Sequence, residues 1–554
     1  MDIKLKEQLN QRWNGLKTER SGWIPHWKEI SELLIPRSGR YFLDDVNKGQ
    51  KRHNQIYDNT GTRALRTLAA GMMAGMTSPA RPWFRLTTSD PSLDESSAVK
   101  QWLADSQRIM QMIFAKSNIY RALHSMYEEL GAFGTASCII QDDFKNVMHV
   151  HNLTVGEYAI ATNYKGEVTT LFREFKMTVA QVVGEFGKAN CSLAIQNLFN
   201  QGALDKWVTV LHCIEPRKDR DPNKKDAKNM AWRSVYFEAG GEKEKVLRES
   251  GYKTFPSLSP RWAVTGGDIY GSSPGMEALG DVKQLQHEQL RKAQGIDYKT
   301  RPPLQVPTSM KNHELDTLPG GISFVDTASP TGGIRTAFET NLDLSHLLMD
   351  IQDVRDRINK SFYADLFLML ANSSNPQMTA TEVAERHEEK LLMLGPVLER
   401  LQNEILDPLI EATFAKMVAA GIVPPSPPEL QGKELNVEYV SMLAQAQRAI
   451  STNSIDRFVG NLGAVAAIKP EVLDKFDADS WADAYADMLG IDPEMIVPSQ
   501  QVAMIRNQRA QAQQAMQQQA MMQQGADTAA KLASAKTNEE NALTSVMDAF
   551  TGYT

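Results

Sequence analysis

Apolar positions recur every third or fourth residue through most of the first 130 positions, the spacing that gathers them on one face of an α-helix. Leu5, Leu9 and Trp13 form one such row, and Ile24, Trp27, Ile30 and Leu33 form a second that stops at Pro36. Further helices are predicted near 60–77, 97–116 and 118–131, with Ser96 or Ser97 capping the second of these and Asn118 the third. The period changes at Thr135. SCIIQDD, NVMHVHNL, EYAIATN and EVTTLFREF are short alternating or β-branched runs separated by Gly, Asn and Asp, the pattern of a small antiparallel sheet. Helices near 178–186 and 192–201 interrupt it. WVTVLHCIE, MAWRSVYFE and KEKVLRES then resume it, closing an α+β block near residue 270.

Long helices organise the second half. In RWAVTGGDIYGSSPGMEALGDVKQLQHEQLRKAQGIDYKTRPP a proline opens a helix of about 24 residues, roughly 36 Å at 1.5 Å per residue. It carries Lys283, His287, Arg291 and Lys292 against Asp281 and Glu288, and Glu288 to Lys292 has the i,i+4 spacing of a favourable ion pair. A non-helical excursion through RPPLQVPTSM and PGGISFVDTASPTGGI leads to a second long helix over 344–367, where Asp353 to Arg357 and Asp356 to Lys360 repeat that spacing. The polar loop MLANSSNPQM ends it. Thr379 or Thr381 caps a third, TATEVAERHEEKLLMLGPVLERLQNEILDPLIEATFAKMVAAG, with a kink expected at Gly395 and Pro396. Beyond the linker PPSPPEL, helices near 437–451, 453–467 and 479–489 are predicted to form an all-α unit. The run 500–524 is Gln/Ala/Met-rich, of low complexity, and charged only at Arg506 and Arg509.

One stretch, TLAAGMMAGMTSPA (67–80), is uncharged, and Gly71 and Gly75 have the small-xxx-small spacing of closely packed membrane helices. Arg63 and Arg66 on one side and Pro79, Arg81 and Pro82 on the other leave it short of the roughly 20 residues that span a bilayer. Close helix packing in water is the better reading. The N-terminus is charged from its second residue and resembles no signal peptide, so the chain is expected to stay inside the cell that makes it. Cys138, Cys191 and Cys213 lie far apart without the spacing of a disulfide framework or zinc site.

At 554 residues the chain is too long for one core, and three or four units are expected. Apolar residues make up 42% and charged residues 23%, the composition of a folded protein. A net charge of -7 argues against a subunit that grips nucleic acid through a basic face. The 25 methionines and 9 tryptophans suit cores and partner surfaces alike.

Catalytic motifs are missing. There is no G-x-x-x-x-G-K-[ST], G-x-S-x-G or H-E-x-x-H and no cysteine pair, so nothing signals nucleotide, acyl-transfer or zinc-protease chemistry. His149 and His151 share one face of a predicted strand, a metal-holding spacing, but without a neighbouring carboxylate or cysteine they read as structural. His387 lies among Glu385, Glu388 and Glu389 on a solvated or intersubunit helix face. Asp142 with Asp143, and Asp477 with Asp479, read as turn and cap residues.

The order of parts resembles the portal proteins, or head-to-tail connectors, of short-tailed (podovirus) bacteriophages. YDNTGTRALRTL followed by AAGMMAGMTSPARPWFRL resembles that family's N-terminal signature, and YGSSPGMEALGDVKQLQHEQLRKAQ its first stem helix. RPPLQVP resembles the approach to the clip, and TATEVAERHEEKLLMLGPVLERLQNEILDPLI the helix after the channel loop. VEYVSMLAQAQRA and KPEVLDKFDAD extend the likeness to about residue 490.

The resemblance implies an α+β, predominantly α-helical portal fold of wing, stem, clip and crown, assembling as a cyclic ring. Its wing is 1–270, helical to about 133 and α+β after that. Stem helix 1 is 271–298, the clip 299–341, stem helix 2 342–369 and the channel loop 370–378. The kinked helix 379–423 returns to the wing, the crown is 424–497, and 498–554 forms a helix, a barrel or a disordered tail. About twelve subunits would form a ring at one capsid vertex, a closed arrangement that repeats two heterologous faces. Through it double-stranded DNA would enter during packaging and leave during ejection.

The implied partners are the terminase large subunit, then a tail adaptor, together with major capsid and scaffolding proteins. No membrane, metal, cofactor or enzymatic role is implied. The expected location is the virion, after assembly in the host cytoplasm. A ring of such negative subunits would repel DNA, which suits a conduit. Lys283, Arg291, Lys292, Arg355 and Lys360 are candidates for lining the stem channel, or else salt-bridge partners. Leu370, Ala371, Asn372, Ser373, Ser374 and Asn375 are the channel-loop candidates, and Lys311, His313, Glu314, Asp316 and Asp326 those of the clip. Another head–tail ring, such as an adaptor, is the alternative. A terminase lacks support without a phosphate-binding loop.

Overall fold

The structure is a computed structural model that describes residues 5–41, 55–90, 93, 96–221, 223–224, 226–241, 245–306, 311, 335–336, 345–371, 394–430, 433, 435–441, 458–466, 469, 471–472, 476–482, 497 and 499–533. It divides into two compact units, Met1–Gln447 and Arg448–Thr554.

The first unit begins with α1 (Leu5–Arg20), α2 (Ile24–Leu33), α3 (Thr60–Met76), β1 (Phe84–Thr88), α4 (Ser97–Lys116) and α5 (Ile119–Phe133). β2 (Ser137–Asp143) and β3 (Val147–Leu153) form a hairpin, and β4 (Tyr158–Thr162) and β5 (Val168–Thr178) form another. After α6 (Val179–Phe186) and α7 (Leu193–Asn200) come β6 (Trp207–Pro216), β7 (Trp232–Glu238), β8 (Arg248–Tyr252) and β9 (Ser257–Leu258). These strands make two antiparallel sheets where the sequence pattern suggested one: β4-β5-β6-β7-β8 and β3-β2-β9. The split has a simple source. β2 pairs with β9 from more than 100 residues downstream, and no alternation within β2 reveals that partner.

Strand alternation sorts the large sheet's two faces. Leu211, Cys213, Val235 and Phe237 pack against Leu9, Trp13 and Leu16 of α1, with Trp13 stacked on Phe172 at 6.3 Å. Val210 and Tyr236 face the other way, onto Val179 and Val182 of α6 and Ile195 of α7. Thr178 closes a capping box with Gln181 at the start of α6.

Buried within this sheet, His212 accepts from Arg173 Nε at its Nδ1 (3.2 Å), so Nε2 carries the proton and donates to Ser234 Oγ (3.0 Å). Its ring stacks on Tyr236 at 3.8 Å. Burial pushes its pKa well down, and Arg173, Arg248 and His151 push it further. Unfolded, the imidazole titrates near 6.5, so below that pH the unfolded chain takes up a proton that the fold refuses. The stability His212 contributes is therefore present above that pH and lost as pH falls. By pH 5.5 the loss is about 1.4 kcal/mol. Glu129 acts in the opposite sense: burial pushes its carboxyl up to about 8. The test is consequently differential. The stability gap between wild type and His212→Gln, from urea midpoints, is expected to shrink between pH 7.5 and 5.5; an unchanged gap would refute the assignment.

Past the sheets come α8 (Pro274–Glu277), α9 (Leu279–Thr300), β10 (Leu304–Gln305), β11 (Arg335–Thr336), α10 (Ser345–Ser361) and α11 (Ala364–Ala371). The second long helix of the sequence reading is thus two helices, broken at Phe362 and Tyr363. Tyr363 sits in the left-handed region at φ 54°, a conformation that interrupts helical hydrogen bonding, while Phe362 is fully buried. Residues 394–401 are helical through Gly395 and Pro396 and continue into α12 (Asp407–Ala420) by a π turn, Gln402–Leu406. Pro408 explains the turn, because it supplies no N–H for the Glu404 carbonyl. The start of the third helix, 379–393, with His387 and its glutamates, lies outside the described residues.

Residues 437–439, expected to begin a helix, instead belong to β12 (Leu435–Tyr439), which pairs antiparallel with β1 from Phe84↔Tyr439 to Thr88↔Leu435. The N-terminal part is therefore not wholly helical. Asp143 does serve a turn, its Oδ1 accepting from Lys145 N at 2.9 Å, and Asp142 pairs with Lys416 of α12. In the second unit α13 (Ser499–Ala533) covers the Gln-rich run, and Asp477 Oδ1 accepts from the amides of Asp479 and Ser480, both at 3.1 Å, at a helix start.

The core of the first unit is built around α3. It buries Ala64, Leu65, Leu68, Ala69, Met72 and Met76, so TLAAGMMAGM is a packing helix. Its glycines set close approaches: a Cβ at Gly71 would lie 2.1 Å from Phe367 Cγ of α11. On the other side, a Cβ at Gly131 of α5 would lie 2.7 Å from Leu68.

Candidate functional site

α9 and α10 run antiparallel, as their cross-helix contacts require. Arg357 lies 3.5 Å from Asp281 and 3.6 Å from Asp353, and its Nη2 donates to Gln284 Oε1 at 3.4 Å. Glu288, only 8% exposed, faces Asp350 across the pair; burial raises its pKa, and Asp350 raises it further. Gln284 Nε2 donates to its Oε1 at 2.6 Å and its Oε2 is buried without a hydrogen-bond partner, so Glu288 does not make the expected pair with Lys292.

Where these helices meet α3, the segment before α3 is pinned by α9. Gln286 Oε1 accepts from the amides of Tyr57 (2.6 Å) and Asp58 (2.8 Å), and its Nε2 donates to the Asp58 carbonyl (2.9 Å). The Asp58 carboxylate then collects donors from three helices. Thr60 gives its amide (2.9 Å) and hydroxyl (2.6 Å), Gln289 its Nε2 (2.9 Å), and Arg355 both Nε (3.1 Å) and Nη2 (2.7 Å). Burial pushes this carboxyl up, but the hydrogen bonds from Thr60 and Arg355 outweigh it and hold it below the usual carboxylate range. Beside the node lies a groove of about 720 Å³ lined by Asn59, Arg63, Gln352, Arg355, Asn359 and Asp365, among others.

The five stem candidates therefore separate. Arg355 is committed to Asp58, and Lys283 pairs with Glu29 of α2. Arg291 contacts His287 (3.4 Å) and Gln294 (3.2 Å) on its own helix. Lys360 is exposed on α10, and Lys292 is half-buried on α9. Of the channel-loop candidates, Leu370 and Ala371 end α11 and are not loop, because the helix restarted by Ala364 runs through them; Asn372, Ser373, Ser374 and Asn375 lie outside the described residues. Of the clip candidates, Lys311 is in a turn, and His313, Glu314, Asp316 and Asp326 lie outside the described residues.

His149 and His151 both project from the outer face of β3. Among the described residues no three His, Cys, Asp or Glu side chains converge as a metal site, and no helix is long and apolar enough to cross a membrane. Asp58, Gln286 and Gln289 were missed by sequence reasoning. Their signal was the Asp-x-Thr start of α3 and the i,i+3 glutamines of α9, but spacing alone does not tell that the two meet.

A helix-rich α+β subunit with a long antiparallel helix pair tied into its body is the class that this geometry defines. The family described as bacteriophage head to tail connecting protein matches residues 6–497, and the chain belongs to that family. A probable portal protein of Bordetella phage BPP-1 is 71% identical over 549 residues, covering 99% of each chain. The portal protein of Salmonella phage epsilon15 is 46% identical over 545 residues, covering 98% of each. Among solved structures, a native gene transfer agent virion matches at a TM-score of 0.36 and 12% identity, covering 84% of this chain and 99% of that one.

Proposed function

We infer that the chain is a portal subunit. Copies of it close into a ring of about twelve at one capsid vertex, each burying the same two heterologous faces. Double-stranded DNA passes through that ring during packaging and ejection. In this reading α9 and α10 are the stem, the segment between them is the clip that docks terminase large subunit and then tail adaptor, and the residues after α11 reach the channel. Capsid and scaffolding proteins surround the ring during procapsid assembly, in the host cytoplasm. The subunit acts as a conduit and docking platform, not as an enzyme.

Full-length similarity to two portal proteins carries the inference. The outer ends of the helix pair support it: Ile296 and Tyr298 on α9 and Leu348 and Met349 on α10 are large and exposed, as a surface met by further copies would be. The net charge of -7 per subunit suits a passage that lets DNA slide.

Purified protein is expected to give rings of about a dozen subunits with a central channel, seen by negative stain and weighed by native mass measurement. A monodisperse monomer at every salt concentration overturns the reading. Deleting 371–375 is expected to leave rings intact while impairing DNA packaging or retention. Loss of assembly in that variant would make the segment structural.

A further inference from the structure

Glu288 is the last buried residue of α9, and Asp350 directly precedes Ile351, the first buried residue of α10. Their carboxyls therefore meet where the packed part of the helix pair gives way to its exposed outer ends, which carry Ile296 and Tyr298 on α9 and Leu348 and Met349 on α10.

One donor is missing at this meeting point. Glu288 Oε1 accepts from Gln284 Nε2, but Oε2 is shut off from solvent and nothing donates to it. Arg357, the cation of α10 that faces Glu288, is spread over Asp281 (3.5 Å), Asp353 (3.6 Å) and Gln284 (3.4 Å). A buried carboxylate oxygen without a donor is costly, and folded proteins keep very few.

Groups already present can satisfy it. As a neutral acid, Glu288 supplies the donor itself, and the Asp350 carboxylate accepts in a short, charge-assisted hydrogen bond. Electrostatics has the same bias, since two carboxylates sharing a site do not both ionise readily. Burial raises the Glu288 carboxyl and Asp350 raises it further, against the pull of Gln284 and Arg357.

We propose that Glu288 keeps its proton in the folded chain and donates it to Asp350, a clasp that holds the outer ends of α9 and α10 together and releases them as pH rises. On release the proton passes to solvent, leaving two like charges face to face. The clasp is a property of one subunit, so its failure would leave the portal reading untouched. Its sign is fixed. The unfolded chain gives up this proton near pH 4.3, so the clasp's stability is present below that pH and is lost as pH rises through the raised folded value.

Urea unfolding and amide hydrogen exchange of the full-length protein at pH 5.5 and 8.5 test this. Glu288→Gln keeps the shape and an N–H toward Asp350 but has no proton to lose. Wild type is expected to lose stability relative to it between the two pH values, and the comparison cancels every carboxyl that both proteins share, Glu129 included. Residues 289–300 and 345–350 are expected to exchange faster in wild type than in Glu288→Gln at pH 8.5, and alike at pH 5.5. Asp350 is exposed, so Asp350→Lys tests the sign even where Glu288→Gln does not fold. With a cation opposite Glu288, that variant is expected to gain on wild type as pH rises. A stability gap that stays constant with pH, as a water donating to Oε2 would give, overturns the proposal. So does equal exchange of the outer ends at pH 8.5, or an Asp350→Lys variant that gains nothing.

Discussion

Replacing Asp58 with alanine is expected to destabilise the first unit by about 3 kcal/mol, the sum of the lost hydrogen bonds from Thr60 at the start of α3 and of charge-assisted hydrogen bonds from Arg355 whose donors cannot all find water. Removing one partner of a fully buried ion pair costs about 3–5 kcal/mol. The lower end applies because Arg355 is 38% exposed and re-solvates, whereas the Asp58 side chain is only 6% exposed. Arg355→Ala is expected to cost about 1 kcal/mol, since Thr60 and Gln289 still serve the carboxylate. The double variant should cost less than the two singles together, because the residues share one interaction. Urea unfolding of the four proteins checks this. A cost for Asp58→Ala within about 0.5 kcal/mol of zero, the range of an ordinary surface change, would show that the node is not what ties α9 and α10 to α3.

The second large effect lies about three helix turns along α3, at Gly71. In an exposed helix, alanine in place of glycine gains about 1 kcal/mol. Here a new Cβ would stand 2.1 Å from Cγ and 2.6 Å from Cβ of Phe367, at the root of that ring where no rotamer change clears it. Overpacking costs of about 1–3 kcal/mol exceed the propensity gain, so Gly71→Ala is expected to destabilise by about 2 kcal/mol and Gly71→Val by about 3. Adding Phe367→Ala to Gly71→Ala should recover part of the loss. If Gly71→Ala raises the melting temperature, α11 does not sit against α3 as described.

These two sites also mark where the sequence could be read and where it could not. Gly71 was legible as a position of close helix approach, because it and Gly75 have the small-xxx-small spacing in a run too short to span a bilayer. Its partner was not, since Phe367 belongs to a segment almost 300 residues on. The boundaries of α4, β2 and β6 followed closely from periods of 3.6 and 2, both local properties of the chain. β1 and β12 failed the same reading for a physical reason. Each is only five residues long, and although β1 alternates buried and partly buried positions, β12 has no fully buried position and so no clear period of two. The break at Tyr363 carried no Gly or Pro to announce it. At the candidate site the charges of α9 and α10 were visible, but whether Arg355 faces a channel or a buried aspartate depends on tertiary contact alone.

Pairing of Phe84 with Tyr439 also has a consequence in time. A ribosome adding about 5–20 residues per second needs roughly 20–70 s between making the first strand and making the second. Throughout that interval β1 has an open edge and Trp83 and Phe84 lack part of their cover, so the nascent chain offers an unpaired strand to whatever is near. Synthesis of many copies at once makes that edge a point of competition between correct closure and sticking to a sibling chain. Slowing translation before residue 435 is expected to shift that competition toward aggregation, and holdase chaperones to shift it back.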